Sequence, residues 1–126
     1  MGAKTVGQVA SQQPWYKTMG AFSSGDNSYT AVQKRFPGEA VHNDRGDAWR
    51  HFRWNYMMTN SIGAAAATEF ANAYEVSHPN VPAEHAMDLY NNAMGRAFAT
   101  DPRYSNLAPD KAADLALLLN CLQTSM

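Results

Sequence analysis

The stretch Asp47-Ala48-Trp49-Arg50-His51-Phe52-Arg53-Trp54-Asn55 holds an acid, a histidine, an asparagine, two arginines and two tryptophans. Set on a helix, Asp47, His51 and Asn55 fall at i, i+4 and i+8 and make one polar ridge. The residues around that ridge are otherwise suited to burial, and a buried polar ridge needs partners. An imidazole titrates near neutral pH and takes or gives a proton once a carboxylate fixes its tautomer, so His51 is the natural centre of any chemistry. Asp47 can orient it from one turn away.

Further along, Asp88, Asn91, Asn92 and Arg96 form a second ridge at i, i+3, i+4 and i+8, beside an apolar stripe of Met87, Tyr90, Met94, Ala97 and Phe98. Between the two ridges stands Glu75, with Asn72 and Thr68 at successive turns before it. Three consecutive helices thus each offer a carboxylate or an imidazole on a face adjoining the core. His51, Glu75 and Asp88 can then converge between packed helices, where helical bundles build sites. The plainer reading of the same residues is a buried network in which Asp47, His51, Asn55, Asp88 and Asn91 only satisfy one another.

A divalent metal ion is the cofactor this set could hold. His42, Asp44, Asp47, His51, Glu75, His78, His85 and Asp88 are numerous enough, with His51, Glu75 and Asp88 as the core of such a site. The usual spacings are missing: there is no His-Glu-x-x-His, no pair of cysteines and no oxygen-rich calcium loop. His78 and His85 flank a proline-rich loop and read as surface residues. Glu69 or Glu75 could serve as a general-acid carboxylate partnered by Asp88, as in glycoside cleavage, though Glu69 reads better as solvent-facing. Arg50, Arg53 and Arg96 could recognise an anion, or simply pair with nearby acids. Trp15, Trp49 and Trp54 read as core or as groove walls. No phosphate loop, nucleophile elbow or dinucleotide fingerprint is present.

The elements that must position these groups are all helical. Residues 1–13 are small and polar and read as a flexible amino-terminal segment. Residues 14–126 read as a single all-α domain of about five helices. Pro14–Met19 opens a short helix ended by Gly20, Ser23–Asn27 is a loop, and Asn27 or Ser28 caps a helix to Arg35. With Asn43 or Asp44 as cap, the central helix runs from about Gly46 to Ile62. Gly63 ends or kinks it, and an alanine-rich helix continues to about Val76. The next helix spans about Ala83–Ala99, and the last opens at Ala108-Pro109-Asp110 with Leu115, Leu118, Leu119 and Leu122 as its core stripe. No segment alternates with period two.

At 126 residues the chain suffices for one core, and 45% hydrophobic residues argue against disorder. A net charge of −1, from 10 basic and 11 acidic residues, leaves no electrostatic footprint for a phosphate backbone, so no nucleic-acid partner is expected. Cys121 stands alone, excludes an internal disulfide, and reads as a small buried hydrophobe. No basic region followed by an apolar core marks a signal peptide. Polar residues interrupt Tyr56–Val76, which argues against a membrane span.

Gly46-Asp47-Ala48-x-Arg50-His51-x-x-Trp54-Asn55, then Ala73-x-Glu75, then Met87-Asp88-Leu89-x-Asn91-Asn92-x-x-Gly95-Arg96 resembles a group of small helical domains in bacteria. These sit at the carboxyl ends of polymorphic toxins and of secreted effectors, including contact-dependent and type VI-like ones. The resemblance covers roughly residues 42 to 97 and picks out Asp47, Arg50, His51, Trp54, Asn55, Glu75, Asp88, Asn91, Asn92 and Arg96. Relatives often carry histidine before the glutamate; Tyr74 stands there in this chain, which weakens any role for a second imidazole.

What the resemblance implies is a toxin-like enzyme with a cognate immunity protein. It also implies secretion machinery or a fused delivery domain that carries the protein out of its cell or into a target bacterium. The leading expectation is an antibacterial hydrolase with His51 as general base, Asp47 or Asp88 orienting it, and Glu75 as acid/base or ligand. Arg50, Trp54, Asn55, Asn91, Asn92 and Arg96 would hold substrate or stabilise developing negative charge. The balanced charge favours a cell-envelope substrate, peptidoglycan or phospholipid. Two alternatives belong to other classes: a non-enzymatic toxin that inserts Met57–Ala73 into membranes, and a binding or adaptor module whose polar ridges are structural.

Overall fold

A computed structural model describes residues 3–38 and 45–125. Among these residues there are six helices and no strand: α1 (Val6–Gln12), α2 (Trp15–Arg35), α3 (Arg45–Ile62), α4 (Ala64–Ser77), α5 (Pro82–Thr100) and α6 (Pro109–Leu118). The all-α reading therefore holds. His42, Asn43 and Asp44, named above as ligands or caps, lie outside the described residues.

The helix boundaries follow from backbone chemistry. Gly63 adopts φ +91°, a region closed to most residues with a Cβ, so α3 stops and α4 starts immediately afterwards. Pro82 and Pro109 sit in the first turns of α5 and α6, where a missing N–H costs nothing. α3 is the axis of the molecule. It packs against α2, α4, α5 and α6, while α1 rests on α4. Almost every position from Gly46 to Thr59 is buried, on all sides of the helix.

Two apolar clusters flank α3. Trp49, Phe52 and Tyr56 meet Val32 of α2, Phe98 of α5 and Ala112, Ala113 and Ala116 of α6. On another side, Trp54, Met58 and Ile62 meet Val9, Ala21, Ala67 and Phe70. The third side, carrying Asp47, His51 and Asn55, turns to α4 and α5. Gly95 of α5 sets the spacing there: a Cβ added to it would fall within 2.3 Å of the Phe52 carbonyl oxygen. Side-chain-free backbone brings α5 this close to α3. No described helix is long and apolar enough to cross a membrane, and Gly63 divides the Met57–Ala73 stretch between α3 and α4.

Several expectations need correction. The amino-terminal segment contains α1, opened by a Thr5–Gln8 capping box and anchored by Val9, which is 1% exposed. The two short helices expected before Arg35 are one helix, α2, which runs through Gly20 and Gly25. Those glycines are contact positions: a Cβ at Gly20 would lie 2.7 Å from Ile62, and one at Gly25 would lie 3.4 Å from Trp54.

The core faces of α5 and α6 also differ. Tyr90 is 46% exposed, and the buried face of α5 includes Met87, Asp88, Asn91, Asn92, Gly95 and Phe98. In α6 small alanines meet α3, while Leu118 is 81% exposed and Leu119 lies outside as well. Close helix approach selects alanine over leucine at those positions. Cys121 is half-buried against the first cluster.

Candidate functional site

Within the first turns of α3, Asp47 and His51 stack at i and i+4, while Glu75 comes from the end of α4 and Asp88 from the second turn of α5. The four side chains meet where the three helices adjoin, and none is more than 4% exposed. His51 Nδ1 lies 2.9 Å from the backbone carbonyl of Asp47. A carbonyl can only accept, so Nδ1 carries a proton and donates it. Nε2 is then the nitrogen left for chemistry. It faces Glu75 Oε2 at 3.5 Å and Asp88 Oδ1 at 3.7 Å.

The surrounding groups divide the carboxylates into two kinds. Asp47 takes the Arg50 guanidinium at 3.2 Å and has its Oδ1 3.4 Å from His51 Nδ1. Glu75 Oε2 accepts from Asn92 Nδ2 at 2.9 Å. Burial pushes both acids up, but the His51 ring outweighs it, with Arg50 helping at Asp47 and Asn92 at Glu75. Both end below their ordinary values. Asp88 differs. Its Oδ2 accepts from Asn80 at 3.0 Å, yet its buried Oδ1 has no hydrogen-bond partner among the described residues. Burial raises it first, the His51 charge opposes, and the negative charges of Asp47, Glu75 and Glu84 add to the rise, leaving it at about 6.

For His51, burial alone would lower the pKa; hydrogen bonds donated to Asp47 and Glu75 prevail and hold it at about 9. At that value the ring holds its proton at neutral pH, and of the four cluster groups Asp88 titrates nearest neutrality. A second arrangement is open to the same atoms. Asp47, His51 and Asp88 each offer a ligand atom, all within 4.8 Å of one another, so this group could hold a metal ion. Asp47 takes the place expected for Glu75, which lies outside that group.

Of the other residues singled out, Asn92 and Arg50 are brought to the cluster. Asn55 links inward and outward: Nδ2 donates to the His51 carbonyl at 3.0 Å, and Oδ1 accepts from Arg96 Nη1 at 2.7 Å. Burial lowers the Arg96 pKa from its usual range. Asn91 is elsewhere, clamping Gln123 through both halves of its amide at 2.8 and 2.9 Å. Trp54 donates to the Ala21 carbonyl at 3.1 Å within the second apolar cluster. Arg53 is engaged by Asp110 at 2.6 Å. Glu69 stays outside, bonded to Lys4 and Gln13, and His78 stacks on Tyr74. Asn80 was not anticipated, and Gly95, present in the motif, was given no role. A glycine inside a strongly helical pattern, as at Gly95, is the signal that could have marked close approach.

Residues 8–124 match the family model described as Domain of unknown function (DUF6973), and the chain belongs to that family. No curated protein and no solved structure matches it.

Proposed function

Taking the chain as a member of that family, we propose that it is a hydrolase of the antibacterial-effector kind, with the His51 cluster as its centre. Asp47, His51 and Asp88 would hold a divalent cation, and Glu75, beside His51 Nε2 and fixed by Asn92, would act as the base. A cation held there would supply Lewis-acid activation of water at neutral pH. The chain's own part is to orient. The Asp47 carbonyl fixes the His51 tautomer, Asn80 fixes Asp88, and Asn92 fixes Glu75, the kind of outer contacts that set ligands in place. The sequence resemblance to toxin domains supplies the setting, with a cell-envelope substrate and an immunity protein as partner.

The observation that carries this reading is the Asp88 Oδ1 atom, buried without a hydrogen-bond partner among the described residues and 3.7 Å from an imidazole nitrogen. Such an atom costs about 1–3 kcal/mol if it serves nothing. Directing wild type, His51→Ala and Asp88→Asn separately to the periplasm and the cytoplasm of a susceptible bacterium tests the proposal, with metal content measured on the purified proteins. We expect growth arrest and bound metal only for wild type, and arrest only from the periplasm. Folded variants that arrest growth as strongly as wild type would overturn it.

A further inference from the structure

A cleft of about 630 Å³ runs between α2 and α4 above α3, within the size range of small-molecule sites. Its walls are mainly apolar: Ala21, Phe22 and Tyr29 from α2, Trp54 from α3, and Phe70 and Tyr74 from α4. Trp54 and Tyr74 meet edge to face with centroids 5.3 Å apart, which gives the cleft a stiff aromatic wall. Phe22 and Tyr29 are each 52% exposed, so apolar rings stand open at this surface.

Arg50 also lines the cleft, at the α3 and α4 side with Ser77 and His78, while Asp26 of α2 is the acid in its lining. One of its terminal nitrogens donates to Asp47 at 3.2 Å. Asp47 is shared with His51, so it does not serve Arg50 alone. The Arg50 side chain is 18% exposed, and its accessible edge, in a cleft walled by aromatic rings, suits an acceptor that is anionic and attached to an apolar body.

We propose that this cleft binds an anionic amphiphile, its apolar body against Trp54, Phe70 and Tyr74 and its charged head on Arg50. Because Arg50 touches both the cleft and Asp47, the same ligand borders the His51 cluster, which names the substrate class of that centre as lipid-like. The inference rests on the hydrolytic reading only for the ligand's being a substrate, because binding needs no turnover.

The indole N–H resonance of Trp54, identified by its loss in Trp54→Phe, reports occupation of the cleft. Dodecanoate and dodecyl phosphate, kept below micelle formation, are the probes, with dodecyltrimethylammonium and inorganic phosphate as controls. We expect saturable shifts with both anionic chains, binding at least about tenfold weaker for the cationic chain, and none for phosphate alone. Arg50→Gln should remove the preference for anions. Phe22→Asp, at an exposed position where folding is spared, should weaken the anionic chains by about tenfold. The proposal is overturned by the absence of saturable shifts, by equal affinity for the cation, or by affinities unchanged in both variants. Binding retained by Asp88→Asn separates this result from the hydrolytic one: a toxic Asp88→Asn that still binds sinks the hydrolase and leaves the cleft.

Discussion

Trp49 and Phe52 on one side of α3, and Asp47 and His51 on another, are equally shut away from solvent within the same turns of one helix. The first side is held by area and shape: Phe52 meets Phe98 edge to face at 5.0 Å and lies parallel to Tyr56 at 6.0 Å. The second is held by charge balance, an imidazolium among acids, and it includes buried polar atoms, Asp88 Oδ1 and Asn92 Oδ1, that have no hydrogen-bond partner among the described residues. Apolar burial leaves little to choose at neutral pH, whereas charged burial depends on protons and on whatever else enters. Burial alone therefore does not distinguish the two sides; buried charge and buried acceptors without a hydrogen bond do.

The largest effect should come from the apolar side. Phe52→Ala empties a ring-sized space and should cost about 3–5 kcal/mol in urea unfolding, with the deficit nearly constant across pH. A loss under about 1 kcal/mol would mean that this side is less tightly packed than its contacts imply.

The polar side should instead respond to pH. His51 binds its proton more tightly folded, at about 9 against 6.5 unfolded, so its contribution is complete below pH 6.5 and is lost as pH rises through about 9. The amount is on the order of 3 kcal/mol. Asp47 and Glu75 act oppositely: their lowered values give stability above the ordinary carboxylate range that is lost on acidification. Wild type should therefore approach His51→Ala in stability as pH rises from 6.5 through about 9, while Phe52→Ala keeps its distance. Parallel pH profiles for all three proteins would erase the contrast.

The smallest effect on folding should accompany the largest on the site. Asp88 is raised to about 6 from 3.8, so its ionised form at neutral pH works against the fold, and stability falls as pH rises through that window. Asp88→Asn keeps the shape and removes the charge; thermal melts should show a gain of up to about 1 kcal/mol while bound divalent metal is lost. A loss above about 2 kcal/mol would make Asp88 a structural residue like Phe52.

Much of the fold and of the site was legible in one dimension, for physical reasons that differ by element. The i, i+4, i+8 ridge brought out Asp47, His51 and Asn55, and Gly63, Pro79 and Pro82 punctuated α3, α4 and α5, because backbone constraints act locally. Gly20 and Gly25 misled, since a glycine that ends a helix and one that admits a neighbouring helix look the same in a string of letters. Leu122 entered the core as expected, but Leu118 and Leu119 misled, because hydrophobicity alone does not reveal that the alanines of α6 are the side chains that face α3. Asn91 and Asn92 are adjacent and chemically identical; only the fold sends one to Gln123 and the other to Glu75.

Gly95 has no group to bring to any reaction, yet it decides how far Asp88 and Asn92 stand from His51. A methyl group there would meet the Phe52 carbonyl and part the helices. An alanine scan would thus flag position 95 alongside the acids, as a dimension of the cluster written into the backbone rather than a member of it.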